Sequence, residues 1–138
     1  MGLVIYTGGT FDLYHSGHAA FLERCAELGS VVVSLNTDEY IELYKGKPPV
    51  MTYEERKAVL ESVRWVDQVV PNIGGHDSTL AIEIVKPDLV VIGSDWARRN
   101  YYGQMCFDQD WLDERGIGLC YIPYTQGISS TEIKTRLR

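Results

Sequence analysis

Two histidines three positions apart, His15 and His18, enclose Ser16 and Gly17 and follow Gly8-Gly9-Thr10-Phe11-Asp12. An apolar, β-branched run precedes this stretch and a helical apolar stripe follows it. Both imidazoles therefore belong at the start of a helix that rises from the end of a strand. Free main-chain N–H groups and the positive end of the helix dipole favour an anion there. Imidazole adds a directed donor near neutral pH, or a positive charge once a phosphate raises its pKa. The combination suits phosphate groups and points to phosphoryl or nucleotidyl transfer, where positioning and charge stabilisation outweigh covalent help. The bland alternative has one ring capping the helix and the other filling a gap. It would explain a lone histidine better than it explains the pair.

A second hydroxyl-rich stretch, Gly127-Ile128-Ser129-Ser130-Thr131-Glu132, lies near the other end of the chain. Hydroxyls and N–H groups at a helix start can cradle phosphate oxygens. The same residues also read as an ordinary capping box, Ser129 with Glu132, and both roles can hold at once.

The elements that must position these groups alternate. Strand patterns fall at residues 3–7, 30–35, 66–70, 89–92 and 119–122, and helix patterns at 17–28, 37–44, 52–63, 78–86, 109–115 and 129–137. Gly29 reads as a C-cap, Thr52 with Glu55 as a capping box, and Leu80, Ala81, Ile84 and Val85 as one apolar helix face. Residues 45–49, Lys-Gly-Lys-Pro-Pro, must be loop. This order predicts an α/β fold, a single-domain Rossmann-like three-layer sandwich over residues 1–138 with a parallel five-stranded sheet and helices on both faces. Ligands then sit outside the carboxyl ends of the strands, where the winding switches direction. The histidine segment falls on that rim. Neither a Gly-x-Gly-x-x-Gly nor a Walker lysine motif is present.

With 138 residues and a net charge of −6, the chain suits one core and argues against a nucleic-acid scaffold. Its three cysteines are odd in number and widely spaced. They read as buried thiols in a reducing, cytoplasmic compartment, not as a disulfide or zinc framework. No stretch is apolar enough for a membrane span, and the N-terminus reads as a strand rather than a signal peptide.

Taken together, Gly9-Thr10-Phe11-Asp12 and His15-Ser16-Gly17-His18 resemble the signature of the HxGH nucleotidyltransferases. Residues 127–131 resemble the Gly-Ile-Ser-Thr-Thr segment of their cytidylyltransferase branch. The likeness runs through nearly the whole chain and is that of the glycerol-3-phosphate cytidylyltransferase-like group. It implies CMP transfer from CTP to a phospho-alcohol, glycerol 3-phosphate first, with release of pyrophosphate. The resemblance implies catalytic roles for His15, His18, Lys47 and Arg64. It implies nucleotide contacts from Thr7, Gly8, Gly9, Thr10, Phe11, Asp12, Gly93, Asp95, Thr125, Gly127, Ile128, Ser129, Ser130 and Thr131. Lys45, Lys47, Arg56 and Trp96 would bind the acceptor. It further implies Mg²⁺ or another divalent cation, with Asp12 a candidate to hold a metal-bound water or orient a histidine, and a symmetric dimer around Arg64-Trp65-Val66-Asp67. Trp65 itself reads as core or interface.

The chain departs from the group at Tyr124, where an arginine is usual, and in residues 97–107, where Arg98 or Arg99 is expected to reach back in its place. Residues 45–50 also resemble phosphoethanolamine cytidylyltransferases, whose ammonium wants a carboxylate or aromatic cage; Tyr101, Tyr102 and Asp108 could serve that acceptor or glycerol phosphate. An adenylyltransferase of the same fold, acting on flavin mononucleotide or a pantetheine phosphate, and a catalytically silent nucleotide-binding protein are the remaining alternatives.

Overall fold

The computed structural model describes residues 2–93, 106–123 and 127–137. Along the chain run β1 (Leu3–Gly9), α1 (Ser16–Leu28), β2 (Gly29–Leu35), α2 (Asp38–Lys45), α3 (Tyr53–Glu61), β3 (Gln68–Pro71), α4 (Thr79–Val85), β4 (Leu89–Gly93), α5 (Gln109–Glu114), β5 (Gly118–Ile122) and α6 (Ser130–Arg136). The strands form one parallel sheet in the order β3-β2-β1-β4-β5. The chain winds outward from β1 to β3, then returns to the other side of β1 for β4. The switch in winding direction therefore lies between the carboxyl ends of β1 and β4.

Alternation along the central strands builds a core on each face. Ile5 of β1 and Val91 of β4 join Leu22 and Cys25 of α1 and Leu60 of α3 in one cluster. Their neighbours Tyr6, Val90 and Ile92 join Ala81 and Ile82 of α4 and Leu112 of α5 in the other. Trp65 is partly buried against the first cluster, as a core residue. Each cluster removes large apolar side chains from water, the main favourable term in folding.

Local capping explains several element starts. The box at Thr52 is complete: Glu55 N donates to Thr52 Oγ1 at 3.2 Å and Thr52 N to Glu55 Oε1 at 2.9 Å. Thr37 accepts from Tyr40 N to start α2, and Asp108 accepts from Trp111 N to start α5. Asp108 is thus occupied as a helix cap.

One sequence expectation holds in altered form and two give way. Gly29 ends α1 as its C-cap, but in extended backbone with φ of 167°, and it begins β2 directly. Its glycine is required by close approach, since a Cβ would lie 2.1 Å from the Leu3 carbonyl oxygen. On α4, Leu80 and Ile84 are exposed, while Ala81 and Ile82 take the buried side. The segment Thr79–Val85 is apolar nearly all round, so periodicity alone does not choose its inward face. Of the cysteines only Cys25 is buried. Cys106 is exposed and Cys120 intermediate, all as free thiols. Burial pushes the Cys25 thiol up to about 12, with Cys120 nearby adding to it. Among the described residues no helix is long and apolar enough to cross a membrane.

Candidate active site

A cleft of about 210 Å³ opens at the switch point. The end of β1 and its loop supply Thr7, Gly8, Gly9, Thr10 and Phe11; the following helix start supplies His15, Gly17 and His18. β4 contributes Ile92 and Gly93, and the C-terminal segment contributes Ile128. Phe21 of α1 and Pro123 complete the wall and were not singled out by sequence, because neither carries a reactive group.

The turn that carries the histidines is tightly specified. Phe11 and Leu13 both sit in the left-handed region, with φ of 50° and 51°, which costs energy for side chains of this size. His15 caps α1: its Nδ1 accepts from Gly17 N at 3.0 Å. His18 Nδ1 accepts in turn from His15 N at 3.2 Å, so the two residues form a reciprocal capping box. Their rings stack with centroids 3.8 Å apart, and Phe11 and Tyr14 lie against His18 at 5.1 and 5.5 Å.

Because both Nδ1 atoms accept, a neutral ring carries its proton on Nε2, the nitrogen left for a ligand. Burial lowers the pKa of both. His18 falls to about 3 through burial and then through the neighbouring His15, partly opposed by Asp12. The site presents a pair of neutral donors. The cap assignment and the ligand assignment are compatible, since each uses a different nitrogen.

The two motifs read from opposite ends of the chain meet. Ser130 Oγ donates to the Asp12 carbonyl at 2.6 Å, across 118 residues. A Cβ on Gly17 would lie 2.9 Å from His15 Cε1 and 3.2 Å from Ile128 Cγ2, so only glycine fits between the ring and the C-terminal segment. Ser129 caps α6, accepting from Glu132 N at 3.0 Å. Gly127 turns the chain with a φ of 81°, and Thr131 is exposed in the first turn of α6.

Behind the loop, polar side chains link the carboxyl ends of β1, β2 and β3. Asn36 Nδ2 donates to Thr10 Oγ1 at 3.0 Å, and Asn72 Nδ2 donates to Asn36 Oδ1 at 2.9 Å. Tyr44 Oη lies 3.5 Å from Thr10 Oγ1, so the end of α2 reaches the cleft rim. Asn36 and Asn72 went unremarked in the sequence. Nothing in their spacing links them until the parallel register brings the strand ends together.

The remaining predicted residues divide. Lys45 and Lys47 are exposed just beyond Tyr44, and Lys45 Nζ stands 5.7 Å from the Tyr44 ring centroid. Arg64 is exposed, and none of the three lines the cleft.

Arg56 departs from its expected acceptor role. Its side chain is 0% exposed and its guanidinium makes four hydrogen bonds. Nε donates to Met51 O, Nη1 to the carbonyls of Thr10 and Asn36, and Nη2 to Asp38 at 2.7 Å. A planar five-donor group is well matched to tying three backbone segments together, and it holds the rim from behind.

Asp12 departs in the same way. Its carboxylate accepts from Val50 N at 2.8 Å and Met51 N at 2.9 Å, so it pins the loop before α3, and no side-chain hydrogen bond joins it to either histidine among the described residues. Asp95, Trp96, Arg98, Arg99, Tyr101, Tyr102, Tyr124 and Thr125 lie outside the described residues.

Comparison with known proteins agrees with this geometry. Residues 6–136 match the family model described as cytidylyltransferase-like. A glycerol-3-phosphate cytidylyltransferase of Bacillus subtilis (strain 168) is 38% identical over 134 residues, 96% of this chain and 95% of that protein. A protein named FAD synthase from Pyrococcus horikoshii is 39% identical over 92 residues, 66% of this chain and 62% of that one. Among solved structures, a lipopolysaccharide core biosynthesis protein from Thermoplasma volcanium GSS1 superposes with a TM-score of 0.71 at 23% identity, covering 93% of this chain and 100% of that one. That likeness shows the fold.

Proposed function

The chain belongs to the cytidylyltransferase-like family, and from that premise we propose that it transfers CMP from CTP to glycerol 3-phosphate, releasing pyrophosphate and forming a CDP-alcohol. The near full-length match to a glycerol-3-phosphate cytidylyltransferase supports the choice of substrates. The observation that carries the site assignment is the meeting of the histidine turn with the 127–130 segment at the β1/β4 switch point.

The triphosphate lies along the cleft, its oxygens taking the Nε2–H donors of His15 and His18 and free N–H groups at the start of α1. A phosphate oxygen of the acceptor attacks the α-phosphorus in line. The new P–O bond forms as the bond to the bridging oxygen breaks, and the electron pair leaves with pyrophosphate. The phosphate nucleophile is already ionised at pH 7, so no general base is needed. Catalysis consists of alignment and of donors aimed at developing charge.

Lys47 and Lys45, exposed just beyond Tyr44, meet the acceptor phosphate as point charges, and Arg64 adds a further cation. Gly93 lets the nucleotide approach the end of β4, and Asp95, Trp96 and Thr125 are assigned to the site by resemblance alone. Among the described residues no three His, Cys, Asp or Glu side chains cluster to hold a metal, and both Asp12 oxygens are taken. Mg²⁺ therefore enters the proposal with the triphosphate, as part of the substrate, keeping most of its waters. A two-fold dimer, the commonest soluble assembly, and a cytoplasmic location complete the reading.

The likeness to a protein named FAD synthase favours one competitor, ATP with flavin mononucleotide. Pyrophosphate release is measured with CTP and with ATP against glycerol 3-phosphate, phosphoethanolamine, phosphocholine and flavin mononucleotide, with the double variant His15→Ala, His18→Ala as control. Turnover confined to CTP with glycerol 3-phosphate, and lost in the control, supports the proposal. Turnover only with ATP overturns it. Tight CTP binding with no turnover on any acceptor identifies a silent binding protein.

A further inference from the structure

Thr10 ends a hydrogen-bond chain whose other end rests on the main chain. Asn72 Nδ2 donates to the Gly75 carbonyl at 2.7 Å and to Asn36 Oδ1 at 2.9 Å. Asn36 Nδ2 donates to Thr10 Oγ1 at 3.0 Å. A carbonyl only accepts, so Gly75 decides which end of the Asn72 amide faces it. Asn36 must then meet Asn72 with its oxygen and Thr10 with its nitrogen. The direction is kept even though Asn72 Oδ1 is buried with no partner among the described residues.

With one lone pair of Thr10 taken by an N–H, its own proton must go elsewhere. Tyr44 Oη, at 3.5 Å, is too far for a good O–H···O bond, and Thr10 lines the cleft.

We propose that Asn72 and Asn36 are positioning residues that hold the Thr10 hydroxyl as a donor into the cleft, where it takes a phosphoryl oxygen of the substrates. This rests on the reading above that the cleft receives phosphorylated ligands. Neither asparagine lines the cleft, so their effect passes through Thr10 alone.

The direction can be reversed with near-isosteric changes. In Asn36→Asp the carboxylate accepts from Asn72 and from Thr10, drawing the hydroxyl proton away from the ligand. In Asn72→Asp the new acceptor turns the Asn36 amide over, with the same result one link further off. Both are measured in the wild type and in Thr10→Val, with Thr10→Ser as the conservative rescue. The readouts are KM for each substrate, kcat, melting temperature and calorimetric affinity for inorganic pyrophosphate.

Either aspartate variant is expected to raise KM for one substrate about tenfold or more, with kcat within about threefold. Thr10→Ser keeps the wild-type response, and in Thr10→Val the aspartates add nothing further. An unchanged KM in a folded aspartate variant overturns the proposal. So does an equal penalty in the Thr10→Val background, which would reveal general loosening. Should wild type transfer nothing from CTP, pyrophosphate affinities that still follow this cycle uphold the relay and reject only the activity; affinities indifferent to every variant reject the relay.

Discussion

The histidine turn lines the cleft and the α2–α3 connection begins just beyond Tyr44 at its rim, yet the two are built on opposite terms. In the turn, every group that faces the cleft is held. Each imidazole uses one nitrogen on the backbone and offers the other, and Gly17 is wedged between His15 and Ile128. In the connection, Lys45 and Lys47 are exposed, Gly46 turns left-handed at φ 81°, and the anchors lie only at the far end, from Asp12 to Val50 and Met51 and from Arg56 to Met51. One side presents neutral imidazole donors held by main-chain hydrogen bonds. The other presents exposed cations with no side-chain hydrogen bond or ion pair among the described residues. Charge that is buried here, as in Arg56, serves the frame, whereas the charges of Lys45 and Lys47 stay in water.

The largest test of that contrast removes its common anchor. Arg56→Met strips the guanidinium from three carbonyls and Asp38, and urea denaturation should show a loss of about 3–5 kcal/mol. A loss below 1 kcal/mol would mean that the arginine does not hold the rim. Next, His18→Ala should lower kcat/KM by about 10²–10³ while costing only about 1–2 kcal/mol of stability through the lost cap and ring packing. Equal losses in activity and folding would make the ring mere packing.

The acid response follows from the lowered histidine pKa values. The unfolded chain takes a proton on His18 near pH 6.5, whereas the folded chain resists until about 3. The stability tied to the neutral ring is complete above pH 6.5 and declines as pH falls through that window, by up to about 1.4 kcal/mol per pH unit. Melting curves between pH 6.5 and 4.5 should therefore be steeper for wild type than for His18→Gln; parallel curves would contradict the buried, neutral assignment. The smallest effect belongs to the lysine side: Lys47→Ala should raise acceptor KM by about threefold to tenfold, with kcat little changed and the change shrinking in high salt.

Much of the frame was legible in the sequence because it depends on local pattern. The strand–helix alternation, the Thr52–Glu55 box and the placement of His15 at a helix start all follow from neighbours within a few residues. The meeting of the two motifs was legible too, since a parallel sheet brings its carboxyl ends to one rim. Long-range choices were not. A helix-face arginine such as Arg56 looks solvent-facing until the β1 loop and Asn36 are folded over it. Asp12 looks like a ligand until the 50–51 backbone reaches it. A histidine cap entered the sequence reading only as the alternative to a ligand role, because histidine is not a usual N-cap residue; in the fold His15 caps with one nitrogen and leaves the other open.

One junction sets a limit on change. α1 ends at Leu28 and β2 begins at Gly29 with no connecting residue, against the Leu3 carbonyl. The thirteen residues of α1 therefore act as a ruler of about 20 Å, fixed at one end by the sheet and at the other by the imidazole pair. Inserting or deleting a single residue cannot be absorbed in a loop. It would swing the histidines by about 100° around the helix axis, so this length is a dimension that the chemistry at the rim inherits from the far edge of the sheet.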